Sequence, residues 1–275
     1  CSAVINYATT ANDNCPGVTS SLFTGLASGS AFPIGYTLVQ YTATDAAGNT
    51  ATCNFDVQVD DNQAPTITCP ANISVSNGLG LCGANVSFSV TSTDNCGNPT
   101  VTTSANSGDF FPVGTTTVNA TAVDANNLQA MCSFTVTVND AEVPTISCNA
   151  NIAVNNDNGV CGAAVTYTVS SNDNCSGSSV AQTTGLASGS TFPIGTTTNT
   201  FVVTDASLNT ATCSFDVNVT DSEVPTITCN ASLSVSNSVG VCGAAVTYSV
   251  TSNDNCAGSS LTQTAGLASG SVFPV

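Results

Sequence analysis

The sequence predicts an all-β protein: tandem, immunoglobulin-like antiparallel β-sandwich repeats of about 80 residues, disulfide-stapled. Three observations carry that prediction. The chain repeats itself at intervals of 79 to 81 residues. Apolar and polar residues alternate at period two inside each repeat. Fourteen cysteines recur at fixed places in the repeat, with no CxxC pair and no histidine to suggest zinc.

The repetition is explicit. Ala64-Pro65-Thr66-Ile67-Thr68-Cys69 returns as Val143-Pro144-Thr145-Ile146-Ser147-Cys148 and as Val224-Pro225-Thr226-Ile227-Thr228-Cys229. A Cys-Gly-Ala motif recurs at Cys82, Cys161 and Cys242, and Asp-Asn-Cys recurs at Cys15, Cys96, Cys175 and Cys256. A fourth cysteine, followed at the second position by Phe, stands at Cys53, Cys132 and Cys213. The Pro-Thr-Ile start sets the boundaries. Residues 62–140 and 141–221 are complete repeats, 1–61 the later part of one, and 222–275 the earlier part of another. Both ends fall inside the pattern, so the chain reads as a stretch of a longer polypeptide. No run approaches the ~18–20 apolar residues of a membrane span.

Each element has a local signature. Val86, Phe88 and Val90 alternate with Asn85, Ser87 and Ser89, as expected of a half-buried strand. Val118, Ala120 and Ala122 mark a second such face, and Phe134, Val136 and Val138 a third, with Cys132 on the same side. Turns are expected at Gly78–Gly80, Gly97–Pro99 and Asp124–Asn127. One core ring follows each Cys-Gly-Ala or its equivalent: Tyr7, Phe88, Tyr167 and Tyr248. The second repeat replaces the Gly-Leu-Ala-Ser-Gly-Ser stretch of residues 25–30, 185–190 and 266–271 with a shorter one, which marks an exposed loop.

The charge balance removes several functions. There are 17 acidic residues and no Lys, Arg or His, a net charge of −17. Nucleic acid is excluded, because neutralising phosphates needs cationic side chains. Salt bridges, Lys–Asn isopeptide staples and tryptic sites are excluded with it. Without His or Lys, a Ser or Thr nucleophile has no usual activating base, and small repeated sandwiches offer no deep cleft. The chain is not expected to be an enzyme or to need a catalytic cofactor.

Together, Pro65-Thr66-Ile67-Thr68-Cys69-Pro70-Ala71-Asn72-Ile73, Asp94-Asn95-Cys96, Phe111-Pro112-Val113-Gly114-Thr115-Thr116-Thr117 and Ala51-Thr52-Cys53-Asn54-Phe55 resemble the HYR (hyalin repeat) domain. The resemblance runs along the whole chain. Asp45-Ala46-Ala47-Gly48-Asn49 fits the family's Asp-x-x-Gly-Asn turn, whereas Asn127 and Leu208 stand where Gly would, so a different turn is expected there. The resemblance implies an immunoglobulin-like fold and extracellular or cell-surface adhesion, and it carries no catalytic residues. Cysteine-rich HYR repeats are similar to those of very large Bacteroidota surface proteins, gliding-motility adhesins among them, and of animal matrix proteins.

In an immunoglobulin-like topology Cys96, after the second strand, and Cys132, opening the last, lie at one end of the sandwich. That favours Cys96–Cys132 and the equivalents Cys15–Cys53 and Cys175–Cys213. For the remaining cysteines the simplest pairs are Cys69–Cys82, Cys148–Cys161 and Cys229–Cys242. The alternative crosses the joints, as Cys1–Cys69, Cys82–Cys148 and Cys161–Cys229. The joints at Asp60-Asp61-Asn62, Asn139-Asp140 and Asp221-Ser222-Glu223 are short and acidic. Asp60, Asp61, Asp140, Glu142, Asp221 and Glu223 are candidate Ca²⁺ ligands there, since hard cations require converging oxygens. The aspartates of the Asp-Asn-Cys motif, in contrast, are expected to fix turns.

The expected role is structural: a stalk or filament segment of a large secreted or cell-surface adhesin, holding an adhesive tip away from the cell. Its partners would be neighbouring repeats and, in a filament or bundle, other copies. The alternative is an adhesion module whose loops bind a surface glycan or protein directly, with the Gly-Leu-Ala-Ser-Gly-Ser loop as the place to look.

Overall fold

The computed structural model describes all 275 residues, and they are all strand, turn and loop. The chain divides into two compact units, one of residues 1–78 and 82–140, the other of residues 79–81 and 141–275. No helix is present that could cross a membrane.

Residues 62–140 show what a complete repeat builds. Gly114–Val123 and Gln129–Asn139 form a long antiparallel hairpin with ten residue pairs from Gly114↔Val138 to Val123↔Gln129. Thr100–Thr103 adds antiparallel on one side and Ile73–Ser76 adds parallel on the other, making a four-stranded sheet. Two short ladders face it, Gly83–Asn85 with Phe110–Pro112 and Thr66–Thr68 with Thr91–Thr93. Between the layers Val86, Phe111, Val118, Phe134, Val136 and Val138 are buried, with Ile73, Val75 and Phe88 packed around them. The period-two faces therefore point inward as their spacing requires. One expected strand is only half a strand. Residues 86–90 keep the in–out alternation but join no ladder, because this edge is held by other bonds. Val86 N donates to Asp109 O, and Phe88 N donates to Ser107 Oγ at 2.8 Å.

Residues 141–221 repeat the plan around the hairpin Gly195–Thr204/Thr210–Thr220, with Ile152–Asn155 parallel to its second strand. Residues 1–61 have the hairpin Gly35–Thr44/Thr50–Val59 and the strand Thr19–Thr24, but no parallel neighbour. Residues 222–275 have only two three-residue ladders, Thr226–Thr228/Thr251–Asn253 and Gly243–Ala245/Val272–Pro274. Where a hairpin lies in the complete repeats, a groove of about 1010 Å³ opens among Ile227, Leu233, Val235, Tyr248 and Phe273.

The Asp-x-x-Gly-Asn turn does not change where glycine is missing. Asp45, Asp124 and Asp205 each donate N–H to the residue four positions on, at 3.0–3.1 Å. Asn127 and Leu208 take the left-handed conformation of Gly48, at φ 66° and 72° against 86°. The aspartate enforces this geometry: Asp124 Oδ1 accepts from Asn126 N and Leu128 N at 2.8 Å, and Asp205 Oδ1 does the same for Ser207 and Asn209.

Candidate functional site: the repeat joint

The disulfides fall into two kinds. Cys69–Cys132 and Cys148–Cys213 lie inside a repeat, with Cα atoms 6.0 and 5.9 Å apart. They staple the Pro-Thr-Ile segment to the inward face of the last strand, which it flanks. Cys1–Cys96 and Cys161–Cys256 join consecutive repeats, each across 95 residues and each with Cα atoms 4.8 Å apart. Cys82 and Cys175 are disulfide-bonded too, while Cys15, Cys53, Cys229 and Cys242 are exposed free thiols.

This overturns the expected pairings. Cys96–Cys132 and Cys175–Cys213 do not form, because Cys132 and Cys213 are taken by Cys69 and Cys148. Cys69–Cys82 and Cys148–Cys161 fail for the same reason, and Cys15–Cys53 and Cys229–Cys242 are absent. The cross-joint alternative named the wrong partners. Cys1 meets Cys96 and not Cys69, Cys161 meets Cys256 and not Cys229, and Cys148 is held by Cys213 rather than Cys82. The physical reason is the Asp-Asn-Cys turn. It carries its cysteine beyond the second strand and off the end of the sandwich, where the Cys-Gly-Ala cysteine of the preceding repeat, or its equivalent Cys1, waits.

Side chains around this turn complete the joint. Asp94 Oδ2 accepts from Cys96 N at 2.8 Å and Asp173 Oδ2 from Cys175 N at 3.2 Å, the turn role expected of the motif. The motif's asparagine reaches backward: Asn174 Nδ2 donates to Leu81 O and Asn255 Nδ2 to Val160 O, both at 3.0 Å. Glu142 and Glu223 are not gathered into an acidic cluster. Their Oε2 atoms accept from Gly80 N and Gly159 N at 2.8 Å, which clamps the Gly-containing turn ahead of each Cys-Gly-Ala motif.

One acidic cluster does form beside a joint disulfide. Carboxylate oxygens of Asp61, Asp94 and Asp124 lie within 4.8 Å of one another, and Asp61 also lies within that distance of Cys1 and Cys96 sulfur. Asp94 and Asp124 each spend one oxygen on a turn. Their other oxygens, Asp94 Oδ1 and Asp124 Oδ2, are shielded from solvent and accept no hydrogen bond. Asn126 Nδ2 ties this turn to the linker through Asp61 O at 3.2 Å. Of the expected Ca²⁺ ligands only Asp61 lies in this cluster. Asp60 faces Gln58 Nε2, and Asp221 Oδ1 accepts from Glu223 N. Asp140 is buried. Two of the three cluster members, Asp94 and Asp124, are residues that sequence reasoning assigned to turns alone. The signal that could have found them is the second carboxylate oxygen, which one turn leaves over.

The Gly-Leu-Ala-Ser-Gly-Ser loop turns its polar atoms inward. Ser28 Oγ accepts from Tyr7 N and donates to Tyr7 O, and Ser188 and Ser269 do the same for Tyr167 and Tyr248. The tyrosine hydroxyls donate to Leu26 O, Leu186 O and Leu267 O. In the second repeat the corresponding loop, Ser104–Asp109, has the same length and Ser107 Oγ still accepts from Phe88 N, so the shortening expected there lies before the loop. The ring is Phe88, without a hydroxyl, and Ala105 stands in the place of Leu26. Burial and the hydrogen bond with Tyr41 push the Tyr7 phenol up to about 12. The Asn49 side-chain amide, helped by backbone N–H groups, holds the Asp45 carboxyl below the usual range.

A family model, the HYR domain, matches residues 1–59, 60–138 and 139–219. The chain belongs to the HYR domain family. It is 34% identical over 257 residues to hyalin of Strongylocentrotus purpuratus, covering 90% of this chain and 21% of hyalin. It is 35% identical over 146 residues to hyalin of Lytechinus variegatus, covering 51% and 28%. A rat protein with sushi, von Willebrand factor type A, EGF and pentraxin domains is 34% identical over 127 residues, 44% of this chain and 4% of that one. The chain thus spans about a fifth of the first of these relatives and less than a third of the second. Among solved structures, a protocadherin gammaB7 EC3-6 cis-dimer aligns at 16% identity and TM-score 0.33, over 78% of this chain and 69% of that one.

Proposed function

We propose that the chain is a tension-carrying stalk or filament segment of a large secreted or cell-surface adhesin, extending an adhesive tip. The observation that carries this reading is the disulfide at each joint within a unit, Cys1–Cys96 and Cys161–Cys256. A binding module needs no covalent link between repeats, whereas a tether under tension gains directly from one. Load entering at Cys1 can pass to Cys96 through the sulfurs, so the 95 residues between them need not stretch. The inward-turned loops support the same reading, because a recognition loop keeps donors and acceptors for its ligand.

Single-molecule pulling on the oxidised and the reduced chain tests it. Reduction should release roughly 300 Å more contour per joint, at about 3.3–3.6 Å per extended residue. Equal extension in the two states would remove the mechanical argument. Specific capture of one glycan or protein by the isolated chain would favour direct binding by the loops.

The Asp61–Asp94–Asp124 cluster supports a second property, Ca²⁺ held at the joint of the first unit. Three carboxylates converge in a chain with no basic side chain to neutralise them. Two shielded oxygens without donors are the arrangement a hard cation satisfies, with carbonyls and water completing six to eight ligands. Thermal melts with Ca²⁺ and with EDTA should differ, and Asp94→Asn should abolish the difference. Superimposable melts would sink the idea.

A further inference from the structure

The outer face of the first repeat's sheet differs from that of the other two. Tyr36 and Leu38 project from Gly35–Thr44 on the side away from the buried Val39, and they are 74% and 46% exposed. The complete repeats carry threonine at both places, Thr115 and Thr117 in one, Thr196 and Thr198 in the other. Those threonines are exposed with all four strands of their sheets in place, so a full repeat leaves this face open. Threonine satisfies the face internally. Thr115 Oγ1 and Thr137 Oγ1 share a hydrogen bond at 3.0 Å, and Thr198 Oγ1 donates to Asp216 Oδ1 at 2.6 Å. With its parallel neighbour Ile152–Asn155 in place, the Asp216 carboxylate takes a hydrogen bond from Thr198 alone. In the first repeat Leu38 stands opposite Asp56, the counterpart of Asp216, and has no hydroxyl to give. The Asp56 carboxylate, the Tyr36 hydroxyl and the side-chain amides of the next outward pair, Gln40 and Asn54, make no hydrogen bond within the chain.

We propose that this face binds a neutral oligosaccharide, which lies along Gly35–Thr44 with one sugar ring on Tyr36. The negative face of the exposed tyrosine ring meets the C–H groups of a pyranose. Asp56 accepts from sugar hydroxyls, and the Gln40 and Asn54 amides both donate and accept. Tyr36↔Gln58, Leu38↔Asp56 and Gln40↔Asn54 are successive outward pairs. They span about 13 Å at ~3.3 Å per residue, room for more than a single sugar. Charge selects the class of glycan. The chain has no Lys, Arg or His, so nothing on this face holds the sulfate or carboxylate of an acidic glycan. One carboxylate among amides reads hydroxyls better than it selects a basic peptide. The site is on a sheet face and not in the Gly-Leu-Ala-Ser-Gly-Ser loop, and it uses none of the joint cysteines. It therefore stands whether or not the repeats bear load.

The test applies the whole 275-residue protein to an array of neutral gluco-, manno-, galacto- and N-acetylglucosamine oligosaccharides. Sulfated and sialylated glycans and an oligoarginine peptide stand beside them. Retained sugars are titrated by calorimetry, and light scattering follows the mass of the protein without sugar. Binding of at least one neutral oligosaccharide is expected, with no preference for its acidic counterparts. Tyr36→Thr, which places at this exposed site the residue that both complete repeats carry, should weaken binding at least tenfold without disturbing the fold. Asp56→Asn should weaken it as well. Met131→Thr, which removes a side chain of similar exposure, 71%, from the second repeat, should leave affinity unchanged. The proposal is overturned if no neutral oligosaccharide binds, or if binding survives Tyr36→Thr, which would move it to the loops. Equal weakening by Met131→Thr would overturn it too, as would retention of the peptide alone. So would an effect of Tyr36→Thr confined to association between copies of the chain.

Discussion

Residues 141–221 and 222–275 begin with nearly the same sequence, Val-Pro-Thr-Ile-Ser/Thr-Cys-Asn-Ala, and finish very differently. The first encloses a core in which Phe192, Val217 and Val219 are at most 1% exposed. The second has Ala244, at 9%, as its most buried apolar residue, and a groove in place of a core. The difference is the long hairpin Gly195–Thr204/Thr210–Thr220, which only the first contains. The short ladders are common to both and are not what makes a sandwich. Strands of three residues bury too little surface to stand alone. The hairpin supplies the broad inner face on which they and the Pro-Thr-Ile segment condense.

A pair of alanine substitutions can break this comparison, and it should give the largest effect. Phe215→Ala removes a ring that is 2% exposed and stacks parallel to Phe201 at 6.4 Å. About 3–5 kcal/mol of local stability should go with it. Phe273→Ala, in the open repeat, should cost roughly 1 kcal/mol, because that ring already faces the groove. Native-state hydrogen exchange resolves repeats within one chain and suits a multi-unit protein better than a global melt. Equal losses at the two sites would mean that the open repeat carries a core of its own.

The fold was legible in the sequence because it rests on local signals. Phe134-x-Val136-x-Val138 points inward on any pleated strand, and Val86, Phe88 and Val90 alternate even where no ladder forms. The disulfides were not legible, because each pairing depends on where a turn carries its cysteine. Cys96 and Cys132 stand at the ends of neighbouring elements in an immunoglobulin-like order, yet a three-residue turn sends Cys96 to another repeat. The acidic cluster was half legible for a related reason. Asp61 advertises itself in a linker, whereas Asp94 and Asp124 hide a second function behind a turn. Spacing reports the oxygen a turn uses and is silent about the one left over.

The last hairpin turn allows a finer test between repeats, at an intermediate scale. The same turn holds Gly48 in the first repeat and Leu208 in the third, both with positive φ. The left-handed conformation costs a side-chain-bearing residue about 1–2 kcal/mol, and Leu208, 80% exposed, recovers little by packing. Leu208→Gly should therefore raise the stability of the third repeat by up to ~1 kcal/mol, net of the entropy glycine loses on folding. Gly48→Leu should lower that of the first by a similar amount. Exchange protection at Asn209 and Asn49 amides would show both, and an unchanged third repeat would mean that Asp205 alone fixes the turn.

The smallest effect is a pH dependence within the first repeat. Tyr7 Oη lies 3.3 Å from Tyr41 Oη, whereas Tyr167 meets Gln182 Oε1 instead. With its pKa about 12 when folded against 10.0 when free, the Tyr7 phenol binds its proton more tightly in the native state. Its contribution is therefore full below pH 10 and is lost as pH rises toward 12. Asp45 has the opposite sign. Its folded pKa is depressed, so its contribution is present above the ordinary carboxylate range and is lost as pH falls through the folded value. Exchange protection in the first repeat should then decline at both alkaline and acid extremes. Tyr7→Phe should flatten the alkaline limb alone, since Phe88 shows that a ring without a hydroxyl fits this position. An alkaline limb unchanged in Tyr7→Phe would place the titrating group elsewhere, and the inward Tyr–Leu clamp would then contribute packing without any linkage to protons.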